Sequence, residues 1–141
     1  MEGRKHGKGK FIFKDGGYYK GEFYQDEFEG DGEYESSDGE VYCGGFLRGK
    51  RHGLGKLEYT NGDVYEGKFK NDVKEGFGIM NYAEGNVYEG EFVADKREGR
   101  GKLVYNTGDK YEGGFKNDLQ EGKGTHFYKN GETYVGHFVR G

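Results

Sequence analysis

The side chains in this sequence that are best able to do chemistry are four histidines, one cysteine and 26 acidic residues. Histidine, cysteine and carboxylate side chains bind a metal ion when three or four of them converge on it. His6 and His52 occupy the same place in a pattern that repeats every 23 residues, two repeats apart. If each repeat supplies two strands, their separation is roughly 19 Å, so they cannot share a metal ion. We therefore expect no metal site.

Glycine pairs with one residue between them are a second motif with chemical potential, because glycine-rich loops bind phosphate groups. No GxxxxGK[ST] motif occurs in the sequence, and no helical pattern follows any of the pairs. Cys43 stands where other repeats have glutamate, and the carboxylates are spread evenly, as on a solvated face. The sequence therefore predicts no catalytic residue, no cofactor and no enzymatic activity.

The glycine pairs belong to a 23-residue repeat that runs through the chain without insertions. Each repeat has a tyrosine, a glycine two residues later, and a phenylalanine two residues after that. A glycine pair follows, and a turn glycine closes the repeat. The tyrosines are Tyr19, Tyr42, Tyr65, Tyr88, Tyr111 and Tyr134. Such regularity across the chain makes the repeat the main structural signal.

In both halves of the repeat, aromatic residues or glycine alternate with polar residues between turn signals. This period of two predicts short antiparallel strands. At least three glycines per repeat exclude a helix, since each costs roughly 1 kcal/mol there. We expect an all-β fold, a single-layer antiparallel β-meander ribbon of 23-residue hairpin repeats with about twelve strands. The predicted array spans 1–141, with partial repeats at 1–17 and 133–141 and full repeats at 18–40, 41–63, 64–86, 87–109 and 110–132.

The register of each hairpin follows from parity, because a one-residue slip moves every side chain to the other face. The first loop must contain an even number of residues. A four-residue loop at 25–28 places Tyr19 opposite Tyr34 and Phe23 opposite Gly30. The second loop must be odd, which favours a type I turn that ends in a left-handed glycine.

This register places rows of aromatic residues and bare glycine on one face of the sheet. Each glycine within a strand destabilises the fold by roughly 0.5–1 kcal/mol. Two explanations account for the glycine row in spite of this cost. Either the rings lie over neighbouring glycines, or the glycine row is a groove in which a partner approaches the backbone. A single layer cannot build a two-layer core, so we expect exposed aromatics that bind a peptide or helix. The candidate partner-binding face consists of Tyr42, Gly44, Phe46, Tyr65, Gly67, Phe69, Tyr88, Gly90, Phe92, Tyr111, Gly113 and Phe115.

Basic residues cluster at one edge of the predicted ribbon and form a candidate anion-contact site. They are Arg4, Lys5, Arg48, Lys50 and Arg51. An anionic lipid such as a phosphoinositide is the second partner hypothesis, although other loops at this edge are neutral or acidic. The net charge of −4 indicates no affinity for nucleic acid.

The motif Y-x-G-x-F, followed by G-x-G and a turn glycine in every repeat, resembles the MORN (membrane occupation and recognition nexus) repeat. The family usually has tryptophan where this chain has phenylalanine, and glycine where Asp26, Asp72, Asp95 and Asp118 lie. The resemblance implies a non-catalytic platform of the kind found in cytoskeletal and ciliary (axonemal) scaffolds. It also implies two alternatives, a phosphoinositide or membrane-tethering module and an accessory domain of a lipid kinase or lysine methyltransferase.

The ends of the chain and its single cysteine support two further expectations. Met1 falls inside a repeat, and the last repeat stops after Val139, so we expect a longer array or a subunit of a larger assembly that can add strands at its ends. A lone Cys43 indicates a reducing compartment. We therefore expect a cytoplasmic location and, from the resemblance, the cytoskeleton or a cilium.

Overall fold

The computed structural model describes residues 3–140 and shows an all-β antiparallel meander. The expected fold class is confirmed. Within the described residues no helix is present, and so none could cross a membrane. The strands, in sequential order, are β1 (Gly7–Ile12), β2 (Tyr18–Tyr24), β3 (Glu27–Glu35), β4 (Val41–Leu47), β5 (Lys50–Glu58), β6 (Val64–Lys70), β7 (Val73–Asn81), β8 (Val87–Val93), β9 (Lys96–Val104), β10 (Lys110–Lys116), β11 (Leu119–Phe127) and β12 (Thr133–Phe138).

The described residues form two compact units, with the boundary between Val73 and Lys74. In the first unit, β1 to β6 pair in chain order, each antiparallel to the next. In the second unit, β7 to β12 pair in the same way. Both units therefore present the same rows of residues across their strands.

The hairpin that joins β2 to β3 follows the predicted parity but not the predicted loop. Tyr19 lies opposite Tyr34, as expected. Phe23 lies opposite Phe28 and not opposite Gly30, so the prediction of a four-residue loop is wrong. The loop has two residues, and the register shifts between Gly21 and Phe23. The same shift recurs between β4 and β5, β8 and β9, and β10 and β11.

A tight turn and a bulge replace the expected loop. Gln25 and Asp26 both have positive φ, 47° and 72°, the conformation of a type I′ turn, whose twist matches that of the paired strands. The register shift leaves three residues of β3 beside one residue of β2, and among the three Gly30 has a φ of 65°. In these four hairpins the first glycine of the G-x-G pair therefore allows a bulge to form.

The second loop matches its prediction. Ser36 N–H donates to the carbonyl of Glu40 at 2.9 Å, and Gly39 N–H donates to the carbonyl of Ser36 at 3.0 Å. Gly39 has a φ of 100°, which side chains rarely adopt. The turn glycine is thus the left-handed end of a type I turn.

Each unit builds its core within a single layer, from rings that pack edge to face. Tyr42 contacts Phe46 in its own strand and Phe69 in the next repeat, with 5.1 Å between ring centroids in both pairs. Tyr88 meets Phe92 and Phe115 in the same way. The repeat tyrosines are at most 1% exposed at five positions, namely Tyr19, Tyr42, Tyr65, Tyr88 and Tyr111. The expectation that these aromatics are exposed is therefore wrong.

Candidate functional site

The buried tyrosines fill the glycine row on the aromatic face. The ring of Tyr88 lies against Gly101, where an added Cβ would come within 2.5 Å of Tyr88 Cε1 and Oη. Its hydroxyl donates to the carbonyl of Glu91 at 2.8 Å. A Cβ on Gly90 would lie 2.6 Å from Gly101 Cα, so the two strands approach closely at this point. The rings over the glycines explain the glycine row, which is not an open groove.

The tyrosine hydroxyls are held as neutral hydrogen-bond donors. Burial raises the pKa of Tyr42 to about 12, against a smaller opposing effect from the Arg51 cation. Burial likewise raises the pKa of Tyr88. Each phenol keeps its proton at neutral pH and donates it to a backbone carbonyl three residues ahead, as Tyr42 does to Gly45 at 2.9 Å.

Long side chains at one position of successive repeats lie against aromatic residues within each unit, and we call them the covering row. Its members are Phe28, Arg51, Lys74, Arg97 and Gln120. The ring of Phe28 stacks on Tyr19 with 3.9 Å between centroids, and the guanidinium of Arg97 lies 5.6 Å from the centroid of Tyr88. The repeat pattern did not lead to this row, because the four-residue loop predicted at 25–28 placed Phe28 outside the strands. Long side chains at the same position of successive repeats were the available signal.

The covering row also links consecutive repeats through an aspartate. Arg97 N–H donates to Asp118 Oδ1 at 2.8 Å, and Asp118 N–H donates to the carbonyl of Arg97 at 3.1 Å. The Arg97 guanidinium pairs with the same carboxylate, with Nε 3.4 Å from Oδ1. The same backbone contacts join Lys5 to Asp26, Arg51 to Asp72 and Lys74 to Asp95.

These contacts explain why aspartate occupies the second position of the tight turn. Asp118 has a φ of 71°, a left-handed conformation that aspartate tolerates better than most residues. Its carboxylate accepts a backbone N–H that glycine in this position would leave without a side-chain acceptor. Gly49 occupies the equivalent turn position and makes only the backbone contact, from its N–H to the carbonyl of Phe28 at 3.0 Å.

The aromatic face of the first unit carries a groove of about 480 Å³. Apolar rings and a leucine side chain line it together with polar side chains of both charges. The apolar side chains include Phe13, Phe28, Tyr34 and Leu57, and the polar ones are Ser36, Glu40, Arg51 and Asp72. The equivalent groove in the second unit, between Tyr105 and Arg97, has a volume of about 300 Å³. Both grooves are concave, accessible parts of the aromatic face of their unit.

Comparison with protein families agrees with this geometry. The model of the MORN repeat matches residues 1–18, 19–41, 42–64, 65–87, 88–110 and 111–133. The chain belongs to the MORN-repeat family. Among solved structures, the SAS-4 (dCPAP) TCP domain of Drosophila melanogaster, in complex with a proline-rich motif of Ana2 (dSTIL), is 13% identical. That match covers 94% of this chain and 90% of that chain, with a TM-score of 0.38.

The basic edge of this MORN array does not form a continuous cationic surface. Lys5 is paired with Asp26, with 3.1 Å between Nζ and Oδ1, and Arg51 is paired with Asp72 at 3.3 Å. The other three candidates, Arg4, Arg48 and Lys50, are exposed. The carboxylate of Glu29 lies among them and accepts the backbone N–H of Arg48 at 3.1 Å.

The opposite face of the MORN array carries alternating charges. Glu89 lies opposite Lys102, and Cys43 is exposed with its Sγ 3.7 Å from the Oε2 of Glu33. Burial and the Glu33 carboxylate raise the pKa of this thiol, which disfavours the reactive thiolate. Among residues 3–140, no group of three or more histidine, cysteine or acidic side chains is placed to hold a metal ion.

Proposed function

We propose that this chain is a non-catalytic scaffold segment that binds other proteins through the groove of the first unit. The observation that carries the proposal is the groove itself, with its apolar lining and its polar side chains of both charges. The MORN-repeat family supplies interaction modules, which agrees with this role. Apolar surface supplies binding energy, and the charged groups orient the partner.

The groove changes which residues of the candidate face touch a partner. The rings of Tyr42, Phe46 and their equivalents are buried and give the face its rigidity. Contact with a partner falls to the partly exposed side chains beside them, such as Tyr34, Ser36 and Glu40. The candidate face is therefore a support for the binding surface, which is supplied by Tyr34 in the tyrosine row and by the loop residues Ser36 and Glu40.

Site-specific photo-crosslinking in cells tests this proposal. A photoreactive amino acid at Glu40 should crosslink to a defined partner protein. The same group at Leu54, which is 70% exposed and lies between the bulge glycine and the strand glycine of β5, serves as a matched control outside the groove. Equal crosslinking from both positions, or none from Glu40, would count against a groove interaction.

The proposed setting is a cytoskeletal or ciliary (axonemal) assembly in the cytoplasm. Membership in the MORN-repeat family supports this setting. Fluorescence microscopy of the tagged natural protein should show enrichment on a filamentous structure or cilium. Diffuse signal together with full extraction by mild detergent would contradict it.

Anionic lipid binding is the second candidate function, and the exposed Arg4, Arg48 and Lys50 favour it. We expect at most weak binding, because polybasic recognition uses about four to eight clustered charges. Flotation with phosphoinositide vesicles measures it, and an Arg48→Glu variant is the control. An accessory role beside a kinase or methyltransferase domain is the third candidate, and the length of the natural polypeptide decides it.

A further inference from the structure

Aromatic side chains at the start of the second loop support the covering row in several hairpins. Each comes just before the hairpin whose covering residue it contacts. The centroids of Phe13 and Phe28 are 6.2 Å apart, and the ring centroid of Tyr82 lies 5.9 Å from the guanidinium of Arg97. The hydroxyl of Tyr105 accepts a hydrogen bond from the side chain of Gln120. We call these three aromatics the bracing residues.

The residue in the bracing position before Arg51 is Ser36. Its small side chain leaves the outer side of the Arg51 guanidinium without a ring from this position, while Tyr42 and Phe69 lie on the inner side at 5.8 and 5.2 Å. The Arg51 side chain is 27% exposed, compared with 19% for the braced Arg97. The larger groove of the first unit lies at this place and includes both Ser36 and Arg51.

We propose that the space beside Ser36 and Arg51 is a binding slot for one tyrosine side chain of a protein partner. The inference rests on the proposed function, and it names the group that the groove accepts. The chain's own rings show the chemistry, since a phenol beside Arg97 makes a cation–π contact of the kind that Arg51 offers outward. The carboxylates of Glu40 and Asp72 line the same groove, so they disfavour acidic neighbours in the partner segment.

The first test uses p-cresol, which has the side chain of tyrosine without its backbone. Titration into the folded protein, followed by nuclear magnetic resonance, should shift the signals of Ser36 and of the Arg51 side chain with one saturable curve. Cyclohexanol is the non-aromatic control and should shift them at least several-fold less. Shifts of equal size with both compounds, or no shifts at Arg51, would overturn the aromatic slot.

Two variants make the test specific to the bracing position. Ser36→Tyr places a ring in the slot and should abolish the p-cresol shifts at Arg51. Tyr82→Ser removes the ring beside Arg97 and should create a p-cresol site in the second unit. Persistence of the Arg51 shifts in Ser36→Tyr, or an unchanged second unit in Tyr82→Ser, would refute the proposal.

The Ser36→Tyr variant is expected to fold. Ser36 Oγ accepts the N–H of Glu40 at 3.0 Å, and the variant loses this bond. In the equivalent loop, Asp15 Oδ1 accepts the N–H of Gly17 at 3.0 Å, so Asp38 can take the same role beside Glu40. Retained p-cresol binding with no Glu40 crosslinking would refute the proposed partner role but not the slot. Crosslinking without p-cresol binding would refute the slot alone.

Discussion

At the scale of single residues, glycine is required at different positions of the repeat for different physical reasons. Gly30 adopts a φ of 65° in the bulge, and Gly39 adopts 100° in the second turn. Gly101 has an ordinary φ but lies under the ring of Tyr88. Replacement by alanine therefore strains the backbone at one kind of site and displaces a ring at the other.

Gly101→Ala should destabilise the protein by about 1–3 kcal/mol, as overpacking does in close-packed cores. The added methyl would lie within 2.5 Å of the ring and hydroxyl of Tyr88, which cannot move between its phenylalanine neighbours. Urea unfolding measures the loss. In a double-mutant cycle, Gly101→Ala should cost much less in a Tyr88→Ala background.

The matched control is Gly53→Ala. No heavy atom lies within 4 Å of the Cβ that would be added there, but the φ of Gly53 is 80°. Its cost should be about 1–2 kcal/mol, from the left-handed conformation alone. That cost should not change in the Tyr88→Ala background. If both glycine variants showed the same coupling energy with Tyr88→Ala, the distinction between displacement of a ring and backbone strain would be wrong.

At the scale of the hairpin, the tight turn joins each repeat to the preceding one. Asp118→Ala should cost about 1–2 kcal/mol, because it removes the acceptor for Arg97 N–H and puts alanine at a φ of 71°. Asp118→Gly should cost less, since glycine adopts that φ without strain. Thermal and urea unfolding compare the two variants.

Asp118→Asn is the conservative control for this turn. The amide oxygen can accept the same N–H, and asparagine tolerates a left-handed φ. We expect a loss smaller than that of alanine, limited to the ion pair between the half-exposed Asp118 carboxylate and the mostly buried Arg97 guanidinium, which is worth about 1 kcal/mol. A loss as large as that of alanine would show that charge, and not the acceptor or the backbone, stabilises the turn.

The hairpin also shows how far the sequence could predict the structure. Period-two alternation and parity placed Tyr19 opposite Tyr34 and identified the second loop, because both depend only on which face a side chain occupies. Parity does not detect a shift of two residues, so it could not distinguish a four-residue loop from a tight turn with a bulge. That error hid Phe28 and the covering row, and with them the groove.

Burial was the second property that the sequence did not predict. A polar composition and a single layer suggested exposed rings, yet Tyr19 is 0% exposed. Glycine beneath, phenylalanine at both edges and a covering residue above enclose the ring on all sides. This arrangement depends on contacts between repeats and within hairpins together, which no single alternating pattern encodes.

At the scale of the whole molecule, the buried phenols predict how stability depends on pH. Unfolded tyrosines ionise near pH 10, whereas burial raises the pKa of Tyr42 to about 12. Raised folded-state pKa values give stability that is fully present below about pH 10 and is lost as the pH rises from 10 towards 12. Urea unfolding at a series of pH values should show a constant midpoint up to about pH 10 and a steep fall above it.

Absorbance at 295 nm provides the direct check on this prediction, because it reports phenolate. Phenolate from the buried tyrosines should appear together with unfolding. In the Tyr88→Phe variant the free energy of unfolding should fall less steeply above pH 10, because about one proton fewer is released on unfolding. Complete ionisation of all tyrosines near pH 10 in the folded protein would contradict the buried, neutral phenols.

The contacts between repeats have a consequence for how such a chain can change its length. Lys5 pairs with Asp26 in the following tight turn, and the ring of Tyr19 packs on Phe46 of the following repeat. Duplication or deletion of one whole repeat keeps the tyrosine, glycine and phenylalanine rows in register, whereas a segment longer or shorter by a single residue would reverse the faces. Recombination within the gene can therefore change the length of the array by whole repeats. An exceptional residue such as Ser36 would move with its repeat, so the binding slot beside it would take a new position in the array.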